Sequence, residues 1–345
     1  MARRLATRTL LLLSCSQEGS LRILRASTEV CRGSLPPFSP AGSALEAARQ
    51  LVGPKVTKKK DGEFEGGEFW EAHEELLKRA WQEHGPLHAD LYSFGPNFER
   101  RYLTSKLRAA ARLAREEGSE EAAKGLFEEI LPGVFASEDL FTEAFRKDVL
   151  EELDRINSAG IPTRRPNGMN RYGVILDQVG FEEALNGLVG AYIKPLGGML
   201  FPELVGDHDA DEHYAFTVKY EPSGDTELAK HGDASVVTLN LCLGPATWKG
   251  GALRFFASGG SGIYALPKGN ASAGSGDVNF QPGQVLLHRG QHKHQALPLL
   301  SGQRANLIIW LHAEHGVVRV APYPPEQQLM AKQRWQQMPR LKLDL

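Results

Sequence analysis

His231 and Asp233 stand two residues apart in the tripeptide HGD, and three further histidines, His288, His292 and His294, follow far downstream. Side chains two apart on an extended strand leave from the same face. An imidazole and a carboxylate at this spacing can therefore take hold of one cation together. A histidine from a distant strand would complete a face of two imidazoles and one carboxylate, leaving the opposite positions of an octahedral metal open. That is the donor set of non-haem iron(II) oxygenases. The HGD pair alone is a weak signal, because chance supplies such pairs often; its weight comes from what lies downstream.

Residues 283–312 answer the stretch 214–243 that carries HGD. His288, His292 and His294 share strand parity, so the pleat does not choose among them, although His288 lies before the Arg289-Gly290 turn. Arg304 follows at the start of a strongly apolar run, Ala305 to Trp310. A guanidinium facing a protein interior needs an anion, and its planar fork suits a carboxylate. The far carboxylate of 2-oxoglutarate is the natural candidate, because the other end of that molecule chelates iron.

The order of HGD, His294 and Arg304 resembles the prolyl 4-hydroxylase type of iron(II)/2-oxoglutarate dioxygenase. The phrases VKYEP, HGDAS, GGALRFF and LPLLSGQR resemble the catalytic domain of the procollagen lysyl hydroxylases. RPNGMNRYGVIL, TLNLCLG, LLHRGQ and RANLIIWL are similar to a further group of the same oxygenase class, from about Arg165 to His312 and loosely back to Leu91. The resemblance implies that His294 completes the iron face with His231 and Asp233. It implies that Arg304 binds the cosubstrate, with Tyr220 donating its hydroxyl and Asn240 and Thr238 lining the same pocket. Asn167, Asn170 and Arg171, in a Pro/Gly loop ahead of the barrel, are the expected substrate contacts. The implied activity is a dioxygenase that couples decarboxylation of 2-oxoglutarate, to succinate and carbon dioxide, with hydroxylation of an unidentified substrate, a protein side chain or a small molecule. Its cofactors would be Fe(II), 2-oxoglutarate and, as reductant, L-ascorbate, with no catalytic residue beyond the metal ligands. A non-catalytic jelly-roll sensor that binds metal or ligand is the alternative, and a metal-dependent hydrolase of cupin-like fold a third.

Composition sets the outer bounds. At 345 residues, 41% apolar and 24% charged, the chain is long enough for one sizeable domain plus an appendage. A formal net charge of −2 gives no pull toward nucleic acid. No apolar run approaches the ~20 residues that span a bilayer. Cys15, Cys31 and Cys242 have neither disulfide-framework nor zinc spacing, and Cys242 reads as a small buried hydrophobe. Residues 1–34 carry six arginines and two acids, a composition that suits an organellar transit peptide, mitochondrial or plastid; otherwise the chain reads as cytoplasmic. His73-Glu74-Glu75 is not a zinc motif, because the i+4 partner of His73 is Leu77.

The elements that must position these residues follow from periodicity. Helical stripes run over 69–84 and 98–117, with a shorter one over 119–130. Ser137 is placed to cap another helix that ends near Gly160, and 181–200 is helical with Pro195 dividing it. Downstream the period changes to two: Tyr214, Phe216, Val218 and Tyr220 share one face, and Leu239, Leu241 and Leu243 alternate against Thr238, Asn240 and Cys242. Strands over 248–257, 285–288, 295–297 and 305–312 complete the set. The fold class is α+β, a double-stranded β-helix (jelly roll) with flanking helices and a helical N-terminal region. The organisation is a targeting or linker segment over 1–68, a helical accessory region over 69–130, a catalytic domain over 131–315 (oxygenase core about 211–315) and a tail over 316–345. The Gly/Ser-rich segment 258–277 reads as a mobile hairpin insertion at the mouth of the site.

Overall fold

The computed structural model describes residues 47, 76, 79–80, 82–117, 125–160, 163, 166–167, 169–202, 205, 213–245, 247–257, 275–312, 317–319 and 329–330. The expected targeting segment, most of the helix over 69–84 and most of the Gly/Ser-rich insertion lie outside the described residues.

Alternating apolar residues build two antiparallel sheets. β1 (Glu128–Leu131), β2 (Val134–Ser137), β3 (His213–Tyr220), β5 (Val237–Gly244), β9 (Val285–Arg289) and β12 (Arg304–Leu311) make the larger, in the order β1-β2-β9-β5-β12-β3. β4 (Leu228–His231), β7 (Leu253–Phe255), β8 (Gly276–Val278) and β10 (His294–Ala296) make the smaller, in the order β4-β10-β7-β8. β6 (Trp248–Gly250) pairs with β11 (Leu299–Gly302) as a separate ribbon, and a two-stranded pair, β13 (Val317–Arg319) with β14 (Leu329–Met330), follows. The chain is a double-stranded β-helix with helices on the outer face of the larger sheet.

The two periods put two cores on the two faces of that sheet. Leu239, Leu241, Leu243, Leu307 and Ile309 point outward into one cluster with Phe145, Val149, Leu153 and Ile156 of α3 (Glu143–Ala159). Phe216, Val218, Cys242, Ile308 and Trp310 point inward and meet Leu253, Phe255 and Ala296 of the smaller sheet. A one-residue slip would exchange the two sets, so burial on both faces fixes the register.

Several helical expectations change. The stripe over 98–117 is two helices, α1 (Pro96–Tyr102) and α2 (Ser105–Glu117). Leu103 between them is extended and bridges Phe141, and the Thr104 hydroxyl accepts the Leu107 amide at 3.1 Å, capping α2. The end of the expected 119–130 helix is strand β1, because Pro132-Gly133, with Gly133 at φ 75°, turns the chain into a hairpin with β2. Ser137 does not cap α3. It ends β2, and Thr142 caps the helix by accepting the Phe145 amide at 3.3 Å. Pro195 divides the 181–200 helix as expected, into α4 (Glu182–Leu188), a π turn (Val189–Ile193) and α5 (Lys194–Leu200). Proline cannot donate to the carbonyl four residues back, and Arg115 of α2 donates to that carbonyl, Ala191 O, instead.

α3 is tied to the segment before α1 through buried charge. Glu152, fully buried, accepts from the His88 amide, from the Tyr92 hydroxyl at 3.1 Å and from Arg155 Nε at 2.6 Å. Glu152→Ala is expected to destabilise the fold by about 3–5 kcal/mol, because it takes the carboxylate from a mostly buried guanidinium and leaves that charge only neutral acceptors. Urea unfolding of the variant measures this, and a loss near zero would mean that the network does not hold the two segments.

Candidate metal centre

His231 closes β4, and the register of β4 against β10 sets it directly opposite His294, the first residue of β10. The two imidazole centroids are 4.3 Å apart. Asp233 does not stand on a strand, contrary to the reading of HGD as one extended face; Gly232 breaks β4 and a turn follows. What places Asp233 is its amide, which donates to Gly290 O at 2.7 Å, while Gly290 N donates to Val236 O at 3.0 Å. A Cβ on Gly290 would lie 2.1 Å from Ser235 O. Gly290→Ala is therefore expected to push the 233–236 turn away, costing about 1–3 kcal/mol by overpacking and loosening metal binding. Thermal melts with and without Mn(II) would detect both effects, and a metal-induced stabilisation equal to wild type would refute the second.

The ligand atoms of His231, Asp233 and His294 lie within 4.8 Å of one another. The His231 Nδ1 lies 2.8 Å from Ala229 O and the His294 Nδ1 2.9 Å from His292 O. Each Nδ1 therefore carries the proton, and each Nε2 turns a lone pair toward Asp233 Oδ1, at 3.4 and 3.7 Å. Two lone pairs facing a carboxylate oxygen repel unless a proton or a metal cation lies among them, and the donor set, two imidazoles and a carboxylate, fits a divalent metal. Backbone carbonyls holding the distal ring nitrogen are the usual support of a metal-ligating imidazole. Burial pushes the Asp233 carboxyl up, but His294, His231 and His288 outweigh it and hold it well below the usual carboxylate range. Burial pulls His294 down to about 4. For His231 the same burial effect is overcome by Asp233, and its pKa rises.

Of the other downstream histidines, neither joins the triad. His292 packs against Phe255, with centroids 4.9 Å apart. His288 is fully buried behind His294, with centroids 4.8 Å apart, and burial lowers its pKa to about 3. Its Nδ1 bonds Arg289 O at 2.9 Å. A second group, His88, Asp148 and Glu151, has ligand spacing among the described residues. Its Asp148 Oδ2 is already taken by Arg101 Nε and Nη2, at 2.9 and 2.7 Å, and by the Tyr102 hydroxyl.

One cavity of about 370 Å³ joins the triad to Arg304, and Tyr220, Thr238, Asn240, Asn167 and Asn170 line it too. Arg304, 2% exposed, donates through Nη1 to Gly251 O, while its Nε has no partner among the described residues. Its guanidinium lies 5.0 Å from the Tyr220 ring and 5.6 Å from that of Phe280. Burial lowers its pKa, and the groups that oppose this are Tyr220 and Cys242, not a carboxylate. Among the described residues this buried cation has no counter-ion. Thr238 lines the cavity, but its hydroxyl donates to Asp233 Oδ2 at 2.6 Å and meets Ser235 Oγ at 2.8 Å, so it orients a metal ligand.

The loop with Asn167 and Asn170 is fastened to the outer edge of β3. Thr217 N donates to Val174 O at 2.8 Å, Lys219 N to Tyr172 O at 3.0 Å, and the Tyr214 hydroxyl to Pro166 O. Gly173, at φ 153°, permits this approach, because a Cβ there would lie 1.9 Å from Thr217 O. Asn167 Oδ1 accepts the Met169 and Asn170 amides, both at 2.8 Å, in an Asx turn. Arg171, expected beside these two, is not brought to the cavity; it is exposed, with its amide on Asp225 Oδ2 at 2.7 Å. Asn306, which lines the cavity two residues beyond Arg304, escaped the sequence reading inside its apolar run. Its shared parity with Arg304 was the available signal.

Residues 81–206 match the family described as the OGFOD2-like domain. The chain is 34% identical over 245 residues to the Arabidopsis thaliana 2-oxoglutarate and iron-dependent oxygenase domain-containing protein ICU11, covering 69% of this chain and 58% of that one. It is 34% identical over 242 residues to the Danio rerio 2-oxoglutarate and iron-dependent oxygenase domain-containing protein 2, covering 69% of this chain and 66% of that one. The chain thus spans less than two thirds of the length of these relatives. It is also similar to a solved prolyl 4-hydroxylase from Phytophthora capsici, at 17% identity and a TM-score of 0.43, over 71% of this chain and 73% of that one.

Proposed function

We propose that this chain, an OGFOD2-like homologue of the 2-oxoglutarate and iron-dependent oxygenase domain-containing proteins, is an iron(II)- and 2-oxoglutarate-dependent dioxygenase that hydroxylates its substrate. One observation carries the reading: two bare imidazole nitrogens and a carboxylate converge at one part of a cavity that also holds a buried arginine without a counter-ion. His231, Asp233 and His294 would hold iron, and Arg304 would take the far carboxylate of 2-oxoglutarate, beside Tyr220 and Asn240. When bound, iron(II) and 2-oxoglutarate with O2 supply oxidative decarboxylation to succinate and carbon dioxide and the transfer of one oxygen atom to a C–H bond.

The residues do the rest. Carbonyls of Ala229 and His292 keep both imidazoles in the metal-binding tautomer. Thr238 holds Asp233 Oδ2 and leaves Oδ1 to the two imidazoles, where it would serve as a metal ligand. Arg304 neutralises an anion in a water-poor cavity, where the attraction is screened least. Tyr220 stays protonated, because burial raises its pKa, and so keeps a hydroxyl to donate. Phe216, Ile308 and Trp310 line the same cavity and limit water around the reacting atoms. Asn167 and Asn170 form the substrate side of the cavity, and L-ascorbate is the reductant we assign. Residues 131–315 make up the catalytic domain on this reading, with 69–130 as its accessory region.

Anaerobic addition of Fe(II) and 2-oxoglutarate to the whole chain is expected to give a visible charge-transfer band, and oxygen then to yield succinate. A chain that binds iron without a band overturns the reading. A band without oxygen-dependent succinate, against peptide and metabolite pools alike, favours a sensor that binds the same ligands.

A further inference from the structure

We propose that Asn306 is a positioning residue for the cosubstrate: it holds the Asn240 side chain so that its NH2 group faces the 2-oxoglutarate held by Arg304. The inference rests on the dioxygenase reading and adds a residue to it.

Asn306 is 2% exposed and lies on the inward face of β12, in line with Arg304, Ile308 and Trp310, all of which line the cavity. Its Nδ2 donates to Asn240 Oδ1 at 2.7 Å, reaching from β12 to the neighbouring strand β5. Its own Oδ1 is buried and has no partner among the described residues. A buried polar atom without a partner is costly, so an asparagine in an otherwise apolar strand demands a reason. Two amides joined by one N–H···O bond leave one NH2 group and one C=O group free. Here the NH2 belongs to Asn240 and the C=O to Asn306. That arrangement turns the donor of Asn240 to the cavity, where Arg304 Nε is also a donor without a partner. Asn240 pairs opposite Ile308, four residues along β12 from Arg304, so the donors of Arg304 and Asn240 address separate atoms of a dicarboxylate. The free Asn306 Oδ1 suits a water or a hydroxyl beside the anion, not the anion itself. Asn306 thus acts through Asn240, whose amide reversed would present an oxygen to a carboxylate.

The test is equilibrium binding of 2-oxoglutarate to the whole chain loaded with Mn(II), by calorimetry. Asn306→Leu is expected to weaken binding roughly ten-fold, the equivalent of about 1.4 kcal/mol. Asn306→Asp, which accepts only and so draws the Asn240 NH2 away from the cavity, is expected to weaken it more. Mn(II) affinity without 2-oxoglutarate should stay at the wild-type value in both, which a general packing lesion would not allow. In an Asn240→Leu background, Asn306→Leu should add no further loss, because the two act as a unit. Should Asn306→Leu unfold the chain, Asn306→Ser carries the same test. Wild-type binding that these variants leave intact, or losses that add, overturn the inference alone; no 2-oxoglutarate binding by the wild type overturns the dioxygenase reading and the inference together.

Discussion

Arg304→Met is expected to lower 2-oxoglutarate affinity by roughly 10²- to 10³-fold while making the unliganded protein no less stable. The first half follows from a charge-assisted, desolvated pair, whose loss costs about 3–4 kcal/mol. The second follows from what surrounds the guanidinium before the ligand arrives. Arg304 is buried, one nitrogen lacks a partner, and aromatic faces at 5.0 and 5.6 Å are its neighbours in place of an acid. An uncompensated buried charge weakens a fold, and an apolar side chain of similar length removes that burden. Thermal melts of the apo form and calorimetry with Mn(II) and 2-oxoglutarate read the two halves separately. Unchanged affinity would show that Arg304 has another task.

What was legible in the sequence is what periodicity and parity control. Leu239, Leu241 and Leu243 alternate with Thr238, Asn240 and Cys242, and the sheet buries one set under helix α3 and turns the other inward. Arg304 was legible because charge in an apolar strand is rare enough to require a partner. The HGD reading expected His231 and Asp233 side by side, and the structure does bring them together, but by a different local geometry. Two side chains on one strand face would have sufficed, but β4 ends at His231, and the Gly290 carbonyl, by accepting the Asp233 amide, fixes the backbone that carries the carboxylate. Such long-range backbone bonds leave no local pattern.

The elements that were missed are short or polar. β4, Leu-Ala-Lys-His, has no alternation, and it exists because β10 pairs with it. β1 looked helical because Glu128, Glu129, Ile130 and Leu131 form helices readily in isolation; the Pro132-Gly133 turn overrides that preference. The break at Leu103 had a local sign, Thr104 followed by Ser105, but good helix formers on both sides concealed it. Thr238 shows a subtler gap: it shares a strand face with Asn240 and lines the cavity, whereas only the structure reveals that its hydroxyl serves Asp233. Parity says which face a side chain takes, not what it touches there.

Asp233→Ala is expected to abolish oxygen-dependent succinate formation and to cost more metal affinity than Thr238→Val does. Thr238 acts only by orienting Asp233, and the loss of such a support weakens a metal site about 10- to 100-fold. Removing Asp233 takes away the donor that would make the site tridentate and anionic. His231 and His294 would remain opposite each other on β4 and β10, held by their own carbonyl bonds, so the scaffold should survive the change. Mn(II) competition against a chelator, followed by paramagnetic resonance, orders the three proteins: wild type tightest, Thr238→Val intermediate, Asp233→Ala weakest. If Asp233→Ala bound metal as tightly as Thr238→Val, the carboxylate would not be a ligand, and the convergence of three side chains on one cation would be an accident of packing.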